Sequence, residues 1–321
     1  NLSEIENTVA KLKAENNKSN HSINLNTDKR PNIILIILES FISENCNYLN
    51  PNLQERITPF IDKLSTEGIS FSRCFANGTR SAYGIGSILC SWPVLPGKPI
   101  ITQVETGFKN SPATESLRIF KSLGYNLTFL YGGDANFDNM KGFAMANGFD
   151  HVLDWNDGFL ANKNDGTMWG KFDHIMFDKL LDVADEKGDT PFMINFFTTT
   201  NHDPFRVPES YESRIPNFVM GNKKYIRAKR TMAYDDLVLS EFFEDAKSHD
   251  WYDNTGKWRL FDHNMERPHK CSGMTTQASI DTPIQAIPRV KCPQCDPLKD
   301  SAWIKRDKFQ EHVKTAHFGF W

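Results

Sequence analysis

The stretch that most constrains the fold is PNIILIILESF, Pro31 to Phe41. Its apolar run from Ile33 to Leu38 is unbroken and rich in β-branched isoleucine. A strand with one wet face alternates apolar and polar residues, so this run predicts a central strand of a parallel sheet covered on both faces. The run ends on Glu39, where the chain leaves the sheet. In open α/β folds ligands gather outside the carboxyl ends of the strands. Glu39 therefore reads either as a functional carboxylate or as a solvated strand-end acid.

Later segments repeat the theme. Thr58-Pro59 opens a helix with Phe60, Ile61 and Leu64 on one face, and ISFSRCFAN, residues 69–77, reads as a second strand. Gly78 permits a tight turn before a helix that starts near Thr79 or Arg80 and carries Ile85, Ile88 and Leu89 at helical spacing. SLRIFKSLGYNLTFLYGG gives helix, glycine, strand and loop in succession. PFMINFFTTTNHDPF, Pro191 to Phe205, is another buried strand ending in polar groups. KYIRAKRTMAYDDLVLSEFFEDAK is a long amphipathic helix with Met232, Leu237, Phe242 and Phe243 toward the core. This alternation predicts an α/β fold, a doubly wound, mainly parallel sheet sandwiched by helices, with a small irregular C-terminal tail.

A chain of 321 residues, 39% hydrophobic and 24% charged, can bury such a core. Residues 1–29 read as a short amphipathic helix, with Ile5, Val9 and Leu12 on one face, and a polar linker. The net charge is -3; from Gly256 onward eleven Lys and Arg face seven Asp and Glu, so that part is +4 and the rest -7. Nothing in that distribution calls for nucleic acid. No segment approaches the roughly eighteen apolar residues a membrane crossing needs, and no secretion signal opens the chain. The start at Asn1 rather than Met suggests a fragment, which leaves room for a signal or membrane region upstream. The six cysteines do not suggest a disulfide framework.

The candidate chemistry collects at strand ends. These offer Glu39, Thr79 and His202, and KWRLFDHN adds Asp262-His263. Thr79 fits either a helix N-cap or a nucleophile set where backbone N–H groups and the positive helix end stabilise an anion. His202 fits either a structural role, bonding loop carbonyls, or a functional one. Two carboxylates, an imidazole and a hydroxyl form a mixed nitrogen and oxygen set that suits zinc or manganese better than calcium. A metal on the threonine oxygen favours the alkoxide, which makes an otherwise weak nucleophile competent.

These residues lie in longer blocks: PNIILIILESF, FANGTRSAYG with SWPVLPG behind it, LYGGDANFDNMKGFAMANGFDHVLD, MWGKFD, FFTTTNHDPFRVP and MAYDDLVLSEFFEDAKSHDWYDNT. In that order they resemble the lipoteichoic acid synthase and phosphoglycerol transferase family, sulfatase-like enzymes of the alkaline phosphatase superfamily. The resemblance implies a catalytic domain over residues 30–263, with Glu39 a metal ligand and Thr79 both nucleophile and metal ligand. It implies substrate contacts from His202, Arg80 and Trp169, although an indole such as Trp169 also serves core packing. Arg80 suits a phosphodiester because guanidinium offers phosphate a planar fork. Asp262 and His263 follow Asp253-Asn254-Thr255 at the family's spacing and are the expected remaining ligands, although GKWRLF carries two positive charges where an apolar strand is usual and HN replaces the usual histidine-glycine.

Beyond Asn264 the resemblance stops, and 264–321 is a divergent tail. Within 292–317, Cys292-x2-Cys295 and His312-x4-His317 have the ligand types of a C2H2 zinc finger, with sixteen residues between the pairs and Phe309 as a small core residue. A structural zinc held by these four suits a protein contact better than DNA reading.

The expectation is thus a metal-dependent phosphotransferase or phosphodiesterase, using Mn2+, Mg2+ or Zn2+ and a phosphothreonine intermediate on a phosphoglycerol-bearing lipid or glycan. It would work at the extracytoplasmic face of a bacterial membrane or in the periplasm, held there by a missing anchor. One alternative is an inactive sulfatase-like binding protein with a zinc-finger tail. Another is a sulfuric ester hydrolase, which Thr79-Arg80-Ser81-Ala82-Tyr83 disfavours, because sulfatases modify a Cys or Ser followed by x-Pro-x-Arg.

Overall fold

Four parallel strands run through the centre of the structure, a computed structural model that describes residues 7, 30–68, 70, 76, 78–90, 97, 99–102, 115–157, 165–255, 290–291 and 303–304. They are β1 (Ile33–Ile37), β2 (Asn126–Tyr131), β3 (His151–Leu153) and β6 (Phe192–Phe197), in the spatial order β1-β6-β2-β3. Two short strands, β4 (Gly166–Thr167) and β5 (Gly170–Lys171), form a separate hairpin. In the tail, Val290–Lys291 pairs antiparallel with Trp303–Ile304.

The unbroken apolar runs are explained by what covers them. Alternate residues of a strand point to opposite faces, so a strand covered on both sides needs apolar residues throughout. On one face Ile34, Ile36, Phe192, Ile194 and Phe196 pack against helices α1 (Pro59–Glu67), α5 (Asp173–Asp185) and α6 (Lys223–Ala246). On the other, Ile33, Leu35, Ile37, Met193 and Phe197 pack against α2 (Ser81–Cys90), α3 (Glu115–Ser122) and α4 (Met140–Ala146). The expected core residues follow suit: Ile61, Leu64, Ile85, Leu89, Met232 and Phe242 are buried, and Phe60, Ile88, Leu237 and Phe243 pack at the margins.

The strand expected over 69–77 lies almost wholly outside the described residues, as does the helix expected near the amino terminus. Where the described chain closes, Asn32 bridges to Thr255 in parallel, and the Asn32 N–H donates to the Asn254 carbonyl at 2.7 Å. Asn254 and Thr255 thus meet the start of β1.

Candidate active site

The loops leaving the carboxyl ends of β1, β2 and β6 converge on a cavity of about 650 Å³. Glu39 stands at its floor, two residues past β1 and only 9% exposed. Its backbone is fixed from the loop after β6: the Glu39 N–H donates to Thr198 Oγ1 at 2.8 Å, and Asn201 Nδ2 donates to the Glu39 and Ser40 carbonyls at 3.2 and 3.0 Å. Thr231 on α6 orients that amide, its hydroxyl donating to Asn201 Oδ1 at 2.5 Å. Ser40 takes a left-handed backbone conformation, φ 49°, and its hydroxyl folds back to donate to Glu39 Oε1 at 2.8 Å. Ser81 Oγ donates to the other oxygen, Oε2, also at 2.8 Å.

No arginine, lysine or histidine pairs with Glu39 among the described residues. Burying a carboxylate without a cationic partner is costly, and hydroxyl donors only partly offset that cost. The arrangement therefore fits a divalent cation. Among the described residues no group of three or more His, Cys, Asp and Glu could hold a metal. Asp262 and His263 lie outside the described residues, as do Cys292, Cys295, His312 and His317.

Thr79 reaches the cavity from the start of α2. Tyr83 and Gly84 donate their N–H groups to the Arg80 carbonyl, so Arg80 occupies the cap position and Thr79 lies one residue outside the helix. Its exposed side chain lines the cavity with Glu39, Trp169 and His202. The turn needs Gly78: a Cβ there would lie 2.3 Å from Tyr83 Cβ.

Trp169 belongs to neither core cluster. The tip of the β4–β5 hairpin presents it to the cavity, where its Nε1 donates to the Asp203 carbonyl at 2.7 Å and its ring lies 3.9 Å from that of His202. The hairpin sits tightly on the loop after β2, with Gly170 so close to Gly132 and Gly133 that a Cβ would meet their backbone at 2.7 Å. Arg80 is held from across the cavity: its Nη2 donates to Asp138 Oδ1 at 2.8 Å and Oδ2 at 3.0 Å. At the end of β2, Tyr131 is buried near Glu39, and burial together with that charge raises its hydroxyl well above the ordinary tyrosine range.

Behind the cavity a pair of buried acids supports the loop that carries His202. Asp173, at the start of α5, accepts the N–H groups of Thr199 and Thr200 at 2.9 Å each. Asp235 on α6 faces Asp173 and is raised well above the carboxylate range by burial and by the neighbouring charge. Neither Asp235 oxygen has a hydrogen-bond partner among the described residues, whereas Asp173 accepts two amides. Burial and the facing Asp173 charge therefore keep the proton on Asp235.

Glu39, Thr79, Arg80, Trp169 and His202, widely separated in the chain, thus share one cavity. Sequence reasoning missed Ser40, Ser81, Asp138 and the Asp173–Asp235 pair. Asp235 and Asp236 did leave a trace: with Met232 and Leu239 they occupy the buried stripe of α6, where two acids are out of place.

The sulfatase family model matches residues 31–256. Lipoteichoic acid synthase 1 of Bacillus subtilis (strain 168) is 27% identical over 243 residues, covering 74% of this chain and 36% of that protein. The chain spans about a third of the length of the curated relatives it matches. Among solved structures, a protein in the alkaline phosphatase superfamily from Vibrio parahaemolyticus superposes with a TM-score of 0.58 at 28% identity, covering 71% of this chain and 53% of that one. The lipoteichoic acid synthase LtaP from Listeria monocytogenes shares the fold, with a TM-score of 0.59 at 21% identity over 76% of this chain and 60% of that one. With its parallel sheet, its carboxyl-end cavity and a family match over most of its length, the chain belongs to the sulfatase family.

Proposed function

We propose that this chain is catalytic in a metal-dependent phosphotransferase acting on a phosphoglycerol-type head group. The observation that carries the reading is that Glu39, a buried carboxylate with no cationic partner among the described residues, lines one cavity together with Thr79. The names of the curated relatives, lipoteichoic acid synthases, support the substrate class. Glu39 and Thr79 are the proposed ligands within the described residues, completed by Asp262 and His263. The spacing supports Asp262, which follows Thr255 by as many residues as Glu39 follows its bridge partner Asn32. When bound, a divalent cation supplies Lewis-acid stabilisation and lowers the pKa of the coordinated hydroxyl.

Thr79 Oγ gives up its proton and attacks phosphorus; the bond from phosphorus to the leaving alcohol breaks, and the alcohol departs with a proton. Phosphothreonine remains. An acceptor hydroxyl, or water, then attacks the same phosphorus, loses its proton and frees Thr79. Arg80 offers donors to the phosphoryl oxygens, while Trp169 and His202 form the wall that orients the glycerol end. Among the described residues no helix is long and apolar enough to cross a membrane. The proposed setting is the extracytoplasmic face of a bacterial membrane, with the chain as part of a tethered protein. The proposed tail function is a second, structural zinc held by Cys292, Cys295, His312 and His317.

The test is turnover of bis(p-nitrophenyl) phosphate with added Mn2+ by wild type and Thr79→Ala. Metal-dependent turnover abolished in the variant supports the reading. Turnover that persists in Thr79→Ala, or none in wild type, overturns it.

A further inference from the structure

Asp138 takes no part in the chemistry just described, yet it lines the cavity beside Glu39 and Trp169. Its carboxylate accepts both of its hydrogen bonds from a single nitrogen of Arg80, Nη2, at 2.8 and 3.0 Å. The Nε and Nη1 groups of Arg80 have no partner among the described residues and stay available to an anion. The pair is unequal in exposure: the Asp138 side chain is 15% exposed and that of Arg80 52%. The carboxylate is thus the fixed member and the guanidinium the accessible one.

The backbone under Asp138 is costly to hold. Asp138 and Asn139 both adopt left-handed conformations, φ 51° and 58°, which non-glycine residues seldom take in succession. Such strain persists where the surroundings enforce it, and it gathers at functional sites. Here Asn139 Nδ2 donates to the Ile101 carbonyl at 2.9 Å, and Asn139 Oδ1 fills the space over Gly142 so closely that a Cβ would lie 2.3 Å away. The strained turn sets a negative charge against the guanidinium offered to substrate.

We infer that Asp138 is a specificity-determining residue that selects a monoanionic phosphodiester over a dianionic phosphomonoester. The inference rests on the reading above that the cavity takes a phosphoryl group. An unopposed arginine favours the more highly charged ligand. With Asp138 in contact, Arg80 neutralises about one charge less, and the second negative charge of a monoester meets a nearby carboxylate that repels it. A diester carries a single charge and escapes that penalty, whereas a monoester at pH 8 is close to a dianion.

The experiment is calorimetric titration of the full chain at pH 8 with two probes, glycerol 3-phosphate and glycerophosphoglycerol. Asn and Gly both accept a left-handed backbone, so Asp138→Asn and Asp138→Gly preserve the turn while removing the charge. Both variants are expected to bind the monoester about tenfold more tightly, about 1.4 kcal/mol, with diester affinity changed by less than about threefold. A monoester-to-diester ratio unchanged in both variants, or wild-type binding of neither probe, overturns the inference. The binding ratio does not depend on Thr79 as nucleophile, so turnover surviving in Thr79→Ala would sink the proposed reaction while leaving this test intact.

Discussion

Ser81 Oγ lies 2.8 Å from Glu39 Oε2 and donates to it, so the first residue of α2 holds the side chain that ends the β1 segment. With Ser40 on the other oxygen, each carboxylate oxygen keeps a lone pair free.

Ser81→Ala is expected to leave the fold intact and to weaken Mn2+ binding about tenfold, because groups that orient a metal ligand typically contribute that much or more. Titration calorimetry with Mn2+ measures it, alongside the thermal midpoint. Ser81→Thr keeps the hydroxyl and should recover affinity. Equal Mn2+ affinity in wild type and Ser81→Ala would show that the bond has no bearing on the metal.

Asp236 ties α6 to α1 by accepting the N–H groups of Phe60 and Ile61 at 2.9 and 2.8 Å. This is an N-cap supplied from a distant helix. Asp236→Ala is expected to cost about 2 kcal/mol in urea unfolding, the upper range for a lost cap.

The same carboxyl gives a pH signature. Burial raises Asp236 to about 7, opposed by the two amides and raised further by Asp62. Between the ordinary carboxyl range, about 4, and about 7 the folded chain keeps a proton that the unfolded chain has released. Stability from this group therefore falls as pH rises through that window. In Asp236→Asn the fall should be smaller, as read from urea midpoints at pH 5 and pH 7.5; an identical pH dependence in both proteins refutes the assignment.

Asp235 is expected to tolerate amide but not truncation. Asp235→Asn sets a neutral amide beside Asp173 in place of the protonated acid and should change stability by less than about 1 kcal/mol. Asp235→Ala leaves the buried Asp173 carboxylate without that polar neighbour and should cost roughly 1–3 kcal/mol. Unfolding free energies of the two variants in parallel decide the point.

Gly78→Ala tests how closely Thr79 must be placed. The new Cβ, 2.3 Å from Tyr83 Cβ, meets a rigid atom of α2, so the Thr79 turn has to move. A displacement of about 1 Å can lower turnover by about a hundredfold. Phosphodiester turnover should fall on that scale while the unfolding midpoint shifts little.

Strands β1, β2 and β6, helices α1, α2, α3 and α6 and the carboxyl-end position of the site were legible in the chain, because burial on both faces leaves an apolar run and an amphipathic helix leaves a stripe; β3, α4 and α5 were not singled out. Ile33–Ile37, Phe192–Phe197 and Lys223–Ala246 carry those marks within a few consecutive residues. Glu39, Thr79 and His202 were legible as strand-end and helix-start groups beside such runs. The partners were not. Ser81 on Glu39, Arg80 on Asp138 and Asp235 on Asp173 join residues from different elements, and no local spacing encodes which helix crosses which loop. Sequence alone determined what must be buried and where polar chemistry could emerge. The order β1-β6-β2-β3 and the packing of α2 and α6 decided which polar groups meet, since hydrogen bonds and charges act over a few ångströms that only the folded chain sets.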